Sequence, residues 1–142
     1  MTVTVDVKNV QEVEAEAISA GVTQRILLER TKSASGKLSV SILDIEPWSD
    51  YGPLDYQAEV VYYVLNGRGN LAYAPGGLGE ITNVMCDWDN DSYSYIAPSQ
   101  YHSVSNEGQI PLTMLKVQYD TRRSPDSVMP WGGFQYSRDI SR

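Results

Sequence analysis

The sequence contains little of what several common classes of protein need. It has one cysteine and one histidine in 142 residues, and 18 Asp and Glu outnumber 11 Lys and Arg, which gives a net charge of −7. A lone cysteine cannot form an internal disulfide, so a disulfide-stapled scaffold is excluded. Nucleic acids and anionic membrane surfaces are bound through Lys and Arg, so we expect neither as a partner.

Long hydrophobic runs are also missing. The apolar stretches are as short as residues 60–65, whereas a membrane-spanning helix needs about 20 apolar residues. The first residues lack the basic and apolar regions of a signal peptide. We therefore expect a soluble, cytoplasmic protein. A domain typically has about 100–200 residues, so residues 1–142 are expected to form one domain.

What the sequence does contain is a series of short strand patterns separated by turn residues. Residues 38–45 are rich in β-branched side chains, residues 59–65 form an apolar run, and residues 92–96 alternate with period two. Asn66-Gly67 predicts a β-hairpin that continues into residues 70–73. Further strands are predicted over residues 22–28, 80–86, 101–105 and 112–119. The pattern predicts an all-β sandwich or small barrel.

The two ends of the chain show different patterns. Residues 3–7 predict a short strand. Apolar side chains at helical spacing within residues 10–17 predict a weak helix, which Gly21 would end. The tail over residues 121–142 contains prolines and a Gly-Gly pair, which predict an extended arm.

Two blocks within the strand-rich region carry recognisable motifs. Residues 45–69 end in Val-Leu-Asn-Gly-Arg-Gly, and residues 95–106 contain His102 followed four residues later by Asn106. Both blocks resemble the signature motifs of the cupin superfamily. The resemblance covers about residues 38–119. It implies a single cupin-like jelly-roll β-barrel, with a short N-terminal segment and the C-terminal arm outside it.

The resemblance also shows where this sequence departs from cupins that bind a metal. Leu54 and Tyr56 stand where such members have two histidines, and Val60 stands where they have a glutamate, so that His102 alone matches. Leu and Val offer no lone pair to a metal, and no metal or other cofactor is expected. An alternative stays open in which His102 binds a metal together with carboxylates. The candidate carboxylates are Asp44, Glu46 and Glu59.

Three residues are candidate catalytic groups under this resemblance: His102, Tyr56 and Tyr62. An imidazole titrates near pH 6.5 and can act as an acid or a base. A phenol can donate to a carbonyl oxygen or pass on a proton. The candidate substrate-binding residues are Leu54, Val60, Glu59 and Tyr95. The alternative is that the tyrosines fill the core and that His102 hydrogen-bonds a neighbouring strand.

The function implied is a metal-independent cupin enzyme that transfers protons on a small organic molecule in the barrel. The reaction would be an isomerisation, cyclisation, dehydration or other lyase step, and it would serve as a tailoring step in a biosynthetic pathway. One alternative is a non-catalytic cupin that binds a small molecule. A second is a metal-dependent dioxygenase with atypical ligands. We also expect a homodimer, formed through the N-terminal strand or through residues 131–134 of the arm.

Overall fold

The computed structural model describes residues 2–54, 56–74 and 84–121, and for residues 84–86 it describes the backbone alone. Several predicted features lie outside the described residues. They are the turn at 75–79, the first part of the strand at 80–86, and the arm beyond residue 121 with the dimer contact expected at 131–134.

Ten strands in the described residues form two antiparallel sheets. The strands are β1 (Glu16–Ser19), β2 (Val22–Leu28), β3 (Leu38–Ile45), β4 (Asp50–Leu54), β5 (Ala58–Asn66), β6 (Gly69–Tyr73), β7 (Val84–Trp88), β8 (Tyr93–Ile96), β9 (His102–Ser105) and β10 (Leu112–Asp120). One sheet has the order β1-β2-β3-β10-β5-β8, and the other has the order β4-β9-β6-β7. The all-β prediction is confirmed.

Helical structure in the described residues is limited to two single 3₁₀ turns, at Val10–Glu12 and Arg30–Lys32. No helix in this part of the chain is long and apolar enough to cross a membrane.

The hydrophobic core lies between the inner faces of the two sheets. Alternate residues of the central strands face it: Val60, Tyr62 and Val64 from β5, and Leu112 and Met114 from β10. Side chains alternate across a strand, so each of these strands presents one buried row and one outer row. The four-stranded sheet contributes Tyr51, Leu71, Trp88 and Val104 to the same core. The interior is therefore lined by every second residue of strands from both sheets.

The N-terminal segment differs from its prediction. Residues 3–7 do not form a strand, and the expected helix is replaced by the 3₁₀ turn followed by β1. β1 pairs with β2 through Glu16↔Gln24 and Ala17↔Thr23. All four residues of β1 are exposed, so backbone pairing with β2, and not burial, decides its conformation. A helix this short is marginal by itself in water.

The predicted hairpin at Asn66-Gly67 is also wrong, although a turn does occur there. β5 pairs with β10 and β8, whereas β6 pairs with β7 and β9 in the other sheet. The turn therefore carries the chain from one sheet to the other. Turn-forming residues act locally, whereas the partner of each strand is chosen by contacts far away in sequence.

Candidate active site

His102 begins β9 in the middle of the four-stranded sheet. It lies opposite Leu54 of β4 on one side and Tyr73 of β6 on the other. His102 and Val104 are buried, while the serine that follows each of them faces the other way. Only 1% of His102 is exposed. The imidazole is thus held inside the molecule by two neighbouring strands.

A glycine lets β4 approach β9 closely beside this histidine. Gly52 has a φ of +120°, which side-chain-bearing residues rarely adopt. A Cβ at Gly52 would lie 3.1 Å from Ser103 Cα and 3.2 Å from the carbonyl oxygen of His102. Because this space is left open, the side chains of Tyr51 and Leu54 can lie next to the histidine strand.

Both ring nitrogens of His102 have hydrogen-bond partners. Nδ1 lies 2.9 Å from the carbonyl oxygen of Gln100, and Nε2 lies 2.9 Å from the hydroxyl of Tyr62. A backbone carbonyl can only accept, so Nδ1 donates to it and carries the proton of the neutral ring. Nε2 then accepts from the Tyr62 hydroxyl. This assignment presents the basic nitrogen of His102 to a phenol.

Tyr62 is fully buried on the inner face of β5, at 0% exposure. Its ring packs at a tilt against Trp88, with ring centroids 5.6 Å apart, and edge-on against His102 at 5.7 Å. Burial, followed by the proximity of Tyr51 and Tyr56, raises the pKa of Tyr62 well above that of a free phenol. Tyr62 is therefore a neutral hydroxyl that donates to the histidine.

A second polar group, composed of Tyr51, Tyr56 and Lys116, lies close by; we call it the lysine–tyrosine triangle. Lys116 Nζ donates to both hydroxyls at 2.8 Å, and the two hydroxyl oxygens are 2.6 Å apart. Lys116 Nζ also lies 4.3 Å from the ring centroid of Tyr56, a cation–π distance. Burial, and then Tyr56, raise the pKa of Tyr51. The triangle is a compact set of hydrogen-bond donors.

Lys116 and Tyr51 were not among the sequence-based candidates. Lys116 lies on the inner face of β10, in the same row as Leu112 and Met114, and only 8% of it is exposed. Strand alternation counted from Leu112 would have placed this lysine inside. It lies directly opposite Tyr62 in the β10–β5 pairing, a neighbour that only the strand register reveals.

The structure brings most of the predicted site residues together. Tyr56 lies next to His102, with ring centroids 6.2 Å apart. Val60 is fully buried on the same strand face as Tyr62, and Leu54 and Tyr56 are partly buried against the core. Leu54 lies opposite His102 in the strand pairing, and Val60 shares the core with these residues. The catalytic and binding roles assigned to them stay predictions.

Two of the predicted substrate-binding residues need correction. Glu59 and Tyr95 lie on the outer face of the six-stranded sheet, where the Tyr95 hydroxyl donates to Glu59 Oε1 at 2.8 Å. Tyr95 is 47% exposed. Both positions alternate with buried neighbours, Val60 and Ile96, so their side chains face away from the interior. They cannot contact a molecule held between the sheets.

The donor set around His102 does not fit a metal centre. Leu54, Tyr56 and Val60 stand at the positions that the motif resemblance matches to metal ligands. Nε2 of His102 forms a hydrogen bond with the Tyr62 hydroxyl. Among the side chains that the structure describes, in residues 2–54, 56–74 and 87–121, no three from His, Cys, Asp or Glu lie together in a way that could hold a metal ion. A transition metal usually has three or four such donors.

Comparison with known proteins identifies the fold. No protein-family model matches the sequence, and no curated protein matches it either. Solved structures do match, and the superposition covers most of each chain.

Three similar structures illustrate this. The polyketide cyclase RemF from Streptomyces resistomycificus is 16% identical, with a TM-score of 0.67 over 87% of this chain and 90% of that one. A predicted oxalate decarboxylase from Thermotoga maritima is 21% identical, with a TM-score of 0.67 over 80% and 97%. An RmlC-like cupin from Shewanella frigidimarina is 13% identical, with a TM-score of 0.64 over 85% and 94%. The cupin fold is thereby confirmed.

Proposed function

We propose that this chain with the cupin fold is a metal-independent enzyme that transfers protons on a small organic molecule in its barrel. The observation that carries the proposal is the 2.9 Å hydrogen bond between the Tyr62 hydroxyl and His102 Nε2 inside the molecule. A hydroxyl bonded to a basic nitrogen is an arrangement that can pass protons. RemF, a polyketide cyclase, and the predicted oxalate decarboxylase support the idea that such a barrel can host enzymes.

The mechanism follows from the order of the hydrogen bonds. The Tyr62 oxygen takes a proton from the bound molecule while its own proton moves to His102 Nε2. The resulting imidazolium keeps its Nδ1–H bonded to the Gln100 carbonyl, which stabilises the positive ring. Return of the proton at a different atom of the molecule completes the turnover. A phenolate at Tyr62 is disfavoured, because burial raises the pKa of its hydroxyl.

In this proposal, Tyr56 is the hydrogen-bond donor that polarises the bound molecule. It is partly exposed, so it can meet a molecule that enters from outside, and its ring lies beside His102. Its hydroxyl can donate to an oxygen of that molecule and polarise it. Proton removal by Tyr62 and His102, with polarisation by Tyr56, suits an isomerisation, a cyclisation, a dehydration or another lyase step.

A matched pair of tyrosines tests the proposal. EDTA-treated protein would be incubated in D2O with pyruvate, phenylpyruvate and other small carbonyl acids, and deuterium uptake at carbon would be followed by NMR. Tyr62→Phe is expected to slow uptake about 10²–10⁴-fold, the usual contribution of a positioned acid or base. Tyr63→Phe removes a hydroxyl that faces outwards and donates to Asp91, so it should retain the wild-type rate.

Equal rates in Tyr62→Phe and the wild type would contradict the assigned role. Metal content of the purified protein provides a separate check. Stoichiometric iron, manganese or zinc that disappears in His102→Ala would overturn the metal-independent mechanism.

A second candidate function is binding without catalysis. The observation that favours it is that Tyr62 and His102 are almost completely buried and hydrogen-bond each other, as a purely structural pair would. A binding module would hold a small molecule and release it chemically unchanged, with no deuterium uptake in the same experiment.

A further inference from the structure

Lys116 has no part in the proton transfer proposed above, and its setting is unusual. It is a buried lysine in a protein whose net charge is −7. Among the described residues, no carboxylate forms an ion pair with Lys116. The ion pairs in this part of the chain are formed by other lysines and arginines. Its partners are the two neutral hydroxyls of Tyr51 and Tyr56. A buried ammonium without a negative partner is unfavourable.

The hydrogen-bond donors of the lysine–tyrosine triangle outnumber the acceptors inside it. The ammonium has three N–H groups, of which two are bonded to Tyr51 and Tyr56. The two phenols have two O–H groups, and one of these is used in the bond between them. One N–H and one O–H therefore remain without an acceptor in the described part of the chain.

Two spare donors next to a positive charge match a carboxylate. A carboxylate has two oxygens that accept hydrogen bonds, and bonds between charged partners are stronger than neutral ones. The negative charge would also compensate the buried ammonium. Access is available through Tyr56, which is the partly exposed member of the triangle.

We propose that the lysine–tyrosine triangle binds the carboxylate of the small molecule on which the barrel acts. This inference rests on the proposed function, because it assigns the substrate class of the same site. Lys116 lies opposite Tyr62 in the strand pairing, and Tyr56 lies beside His102. A carboxylate on the triangle places the adjoining carbon atoms next to the proton-transferring pair. The substrate class is a small organic acid.

Calorimetric titration with charged and neutral probes tests the proposal. Acetate and benzoate would be compared with acetamide and benzamide, which have similar shapes and no charge. The wild type is expected to bind the acids about 10-fold or more tightly than the amides, because bonds to charged groups are the stronger ones. Inorganic phosphate, a tetrahedral anion, is titrated as a further probe, and its affinity is compared with that of benzoate.

Lys116→Met removes the charge and keeps the length of the side chain, so it should abolish the preference for the acids. Lys37→Met is the matched control. Lys37 lies over the ring of another tyrosine, with Nζ 5.9 Å from the Tyr119 centroid, and this variant should bind as the wild type does. Tyr56→Phe keeps the cation and loses one donor. It should weaken acid binding even if Lys116→Met does not fold.

Three outcomes would overturn the proposal: equal binding of acids and amides by the wild type, an acid preference that survives in both Lys116→Met and Tyr56→Phe, and tighter binding of phosphate than of benzoate. Failure of the proton-transfer mechanism looks different. In that case Tyr62→Phe and the wild type would take up deuterium at equal rates while the preference for acids remained intact.

Discussion

Tyr62 and Tyr63 are neighbours in sequence, but they meet different surroundings. Tyr62 is buried and donates to His102, whereas the Tyr63 hydroxyl donates to Asp91 on the outside of the sheet. Strand alternation separates them, because successive side chains of a strand face opposite sides of the sheet. The same alternation places Glu59 on the outer face with Tyr63, away from His102.

Asn106, the last residue of the second cupin-like motif, has a structural role at the residue scale. It is fully buried, and its Nδ2 donates to the carbonyls of Ile45 and Ile110 at 2.8 and 2.9 Å. Its Oδ1 accepts from the backbone N–H of Gly108 at 2.9 Å. The side chain thus links the end of β3 to the loop before β10.

Replacement of this asparagine should destabilise the protein strongly. Asn106→Ala leaves two carbonyls and one N–H without their partner, so we expect the free energy of unfolding to fall by about 2–4 kcal/mol. Urea unfolding measures the change. Asn70→Ala is the control, because Asn70 Nδ2 donates to Glu107 on the surface; it should cost less than about 0.5 kcal/mol. Similar losses in both variants would contradict the role of Asn106.

At the scale of elements, the turn between β5 and β6 is one of the connections between the two sheets. Gly67 has a φ of +99°, and its N–H donates to Asn90 Oδ1 at 2.8 Å. A Cβ there would lie 2.6 Å from the carbonyl oxygen of Pro111, just before β10 begins. The turn therefore needs glycine both for its backbone conformation and for its close contact with the neighbouring chain.

Comparison of two glycines separates these requirements. Gly36 also has a positive φ, +73°, but a Cβ there would meet no atom within 4 Å. Gly36→Ala should cost about 1–2 kcal/mol of unfolding free energy, the strain of a left-handed conformation. Gly67→Ala should cost at least about 1 kcal/mol more, because the new Cβ displaces the segment before β10. Denaturant unfolding of both variants checks this, and equal losses would show that the contact is unimportant.

Element prediction succeeded where the strand pattern was strong and failed where tertiary pairing decided. β3 has the predicted bounds. β5 is one residue longer than predicted at each end, and β10 is one residue longer at its C-terminal end. These strands carry long buried rows, so their periodicity is clear. The segment that became β1 has no buried row at all. Its strand conformation depends on β2, which the local pattern does not reveal.

On the scale of the whole molecule, a polar row crosses the inner face of the six-stranded sheet. Strand pairing places Ser41, Lys116, Tyr62 and Ser94 side by side on β3, β10, β5 and β8. The row is connected to the opposite sheet, because the Trp88 indole N–H donates to Ser94 Oγ and the Tyr62 hydroxyl reaches His102. Polar contacts thus link the two sheets through the apolar core.

The buried phenols should make stability depend on alkaline pH. The pKa values of Tyr51 and Tyr62 are raised in the folded protein, mainly by burial. Above about pH 10 the unfolded chain loses these protons while the folded chain keeps them, so stability falls as pH rises. The two groups together should contribute a slope of about 2.7 kcal/mol per pH unit.

Urea unfolding between pH 7 and pH 11 measures this dependence. Tyr51→Phe and Tyr62→Phe should each reduce the alkaline slope by about 1.4 kcal/mol per pH unit. Neither variant should change the pH dependence between pH 7 and 9, where free phenols remain protonated. An unchanged slope above pH 10 in both variants would show that these tyrosines ionise as readily in the folded protein as in the unfolded chain.

The sequence by itself determined the strand-rich architecture, the inner and outer faces of β5 and β9, and the scarcity of metal-binding side chains, with one histidine and one cysteine in the chain. These features depend on residue type and on a period of two, which are local properties. Only the tertiary structure decided that β5 and β6 belong to different sheets and that Lys116 of β10 meets Tyr51 and Tyr56. Such meetings depend on which distant strands pair and in which register, and that choice is made by packing across the whole core.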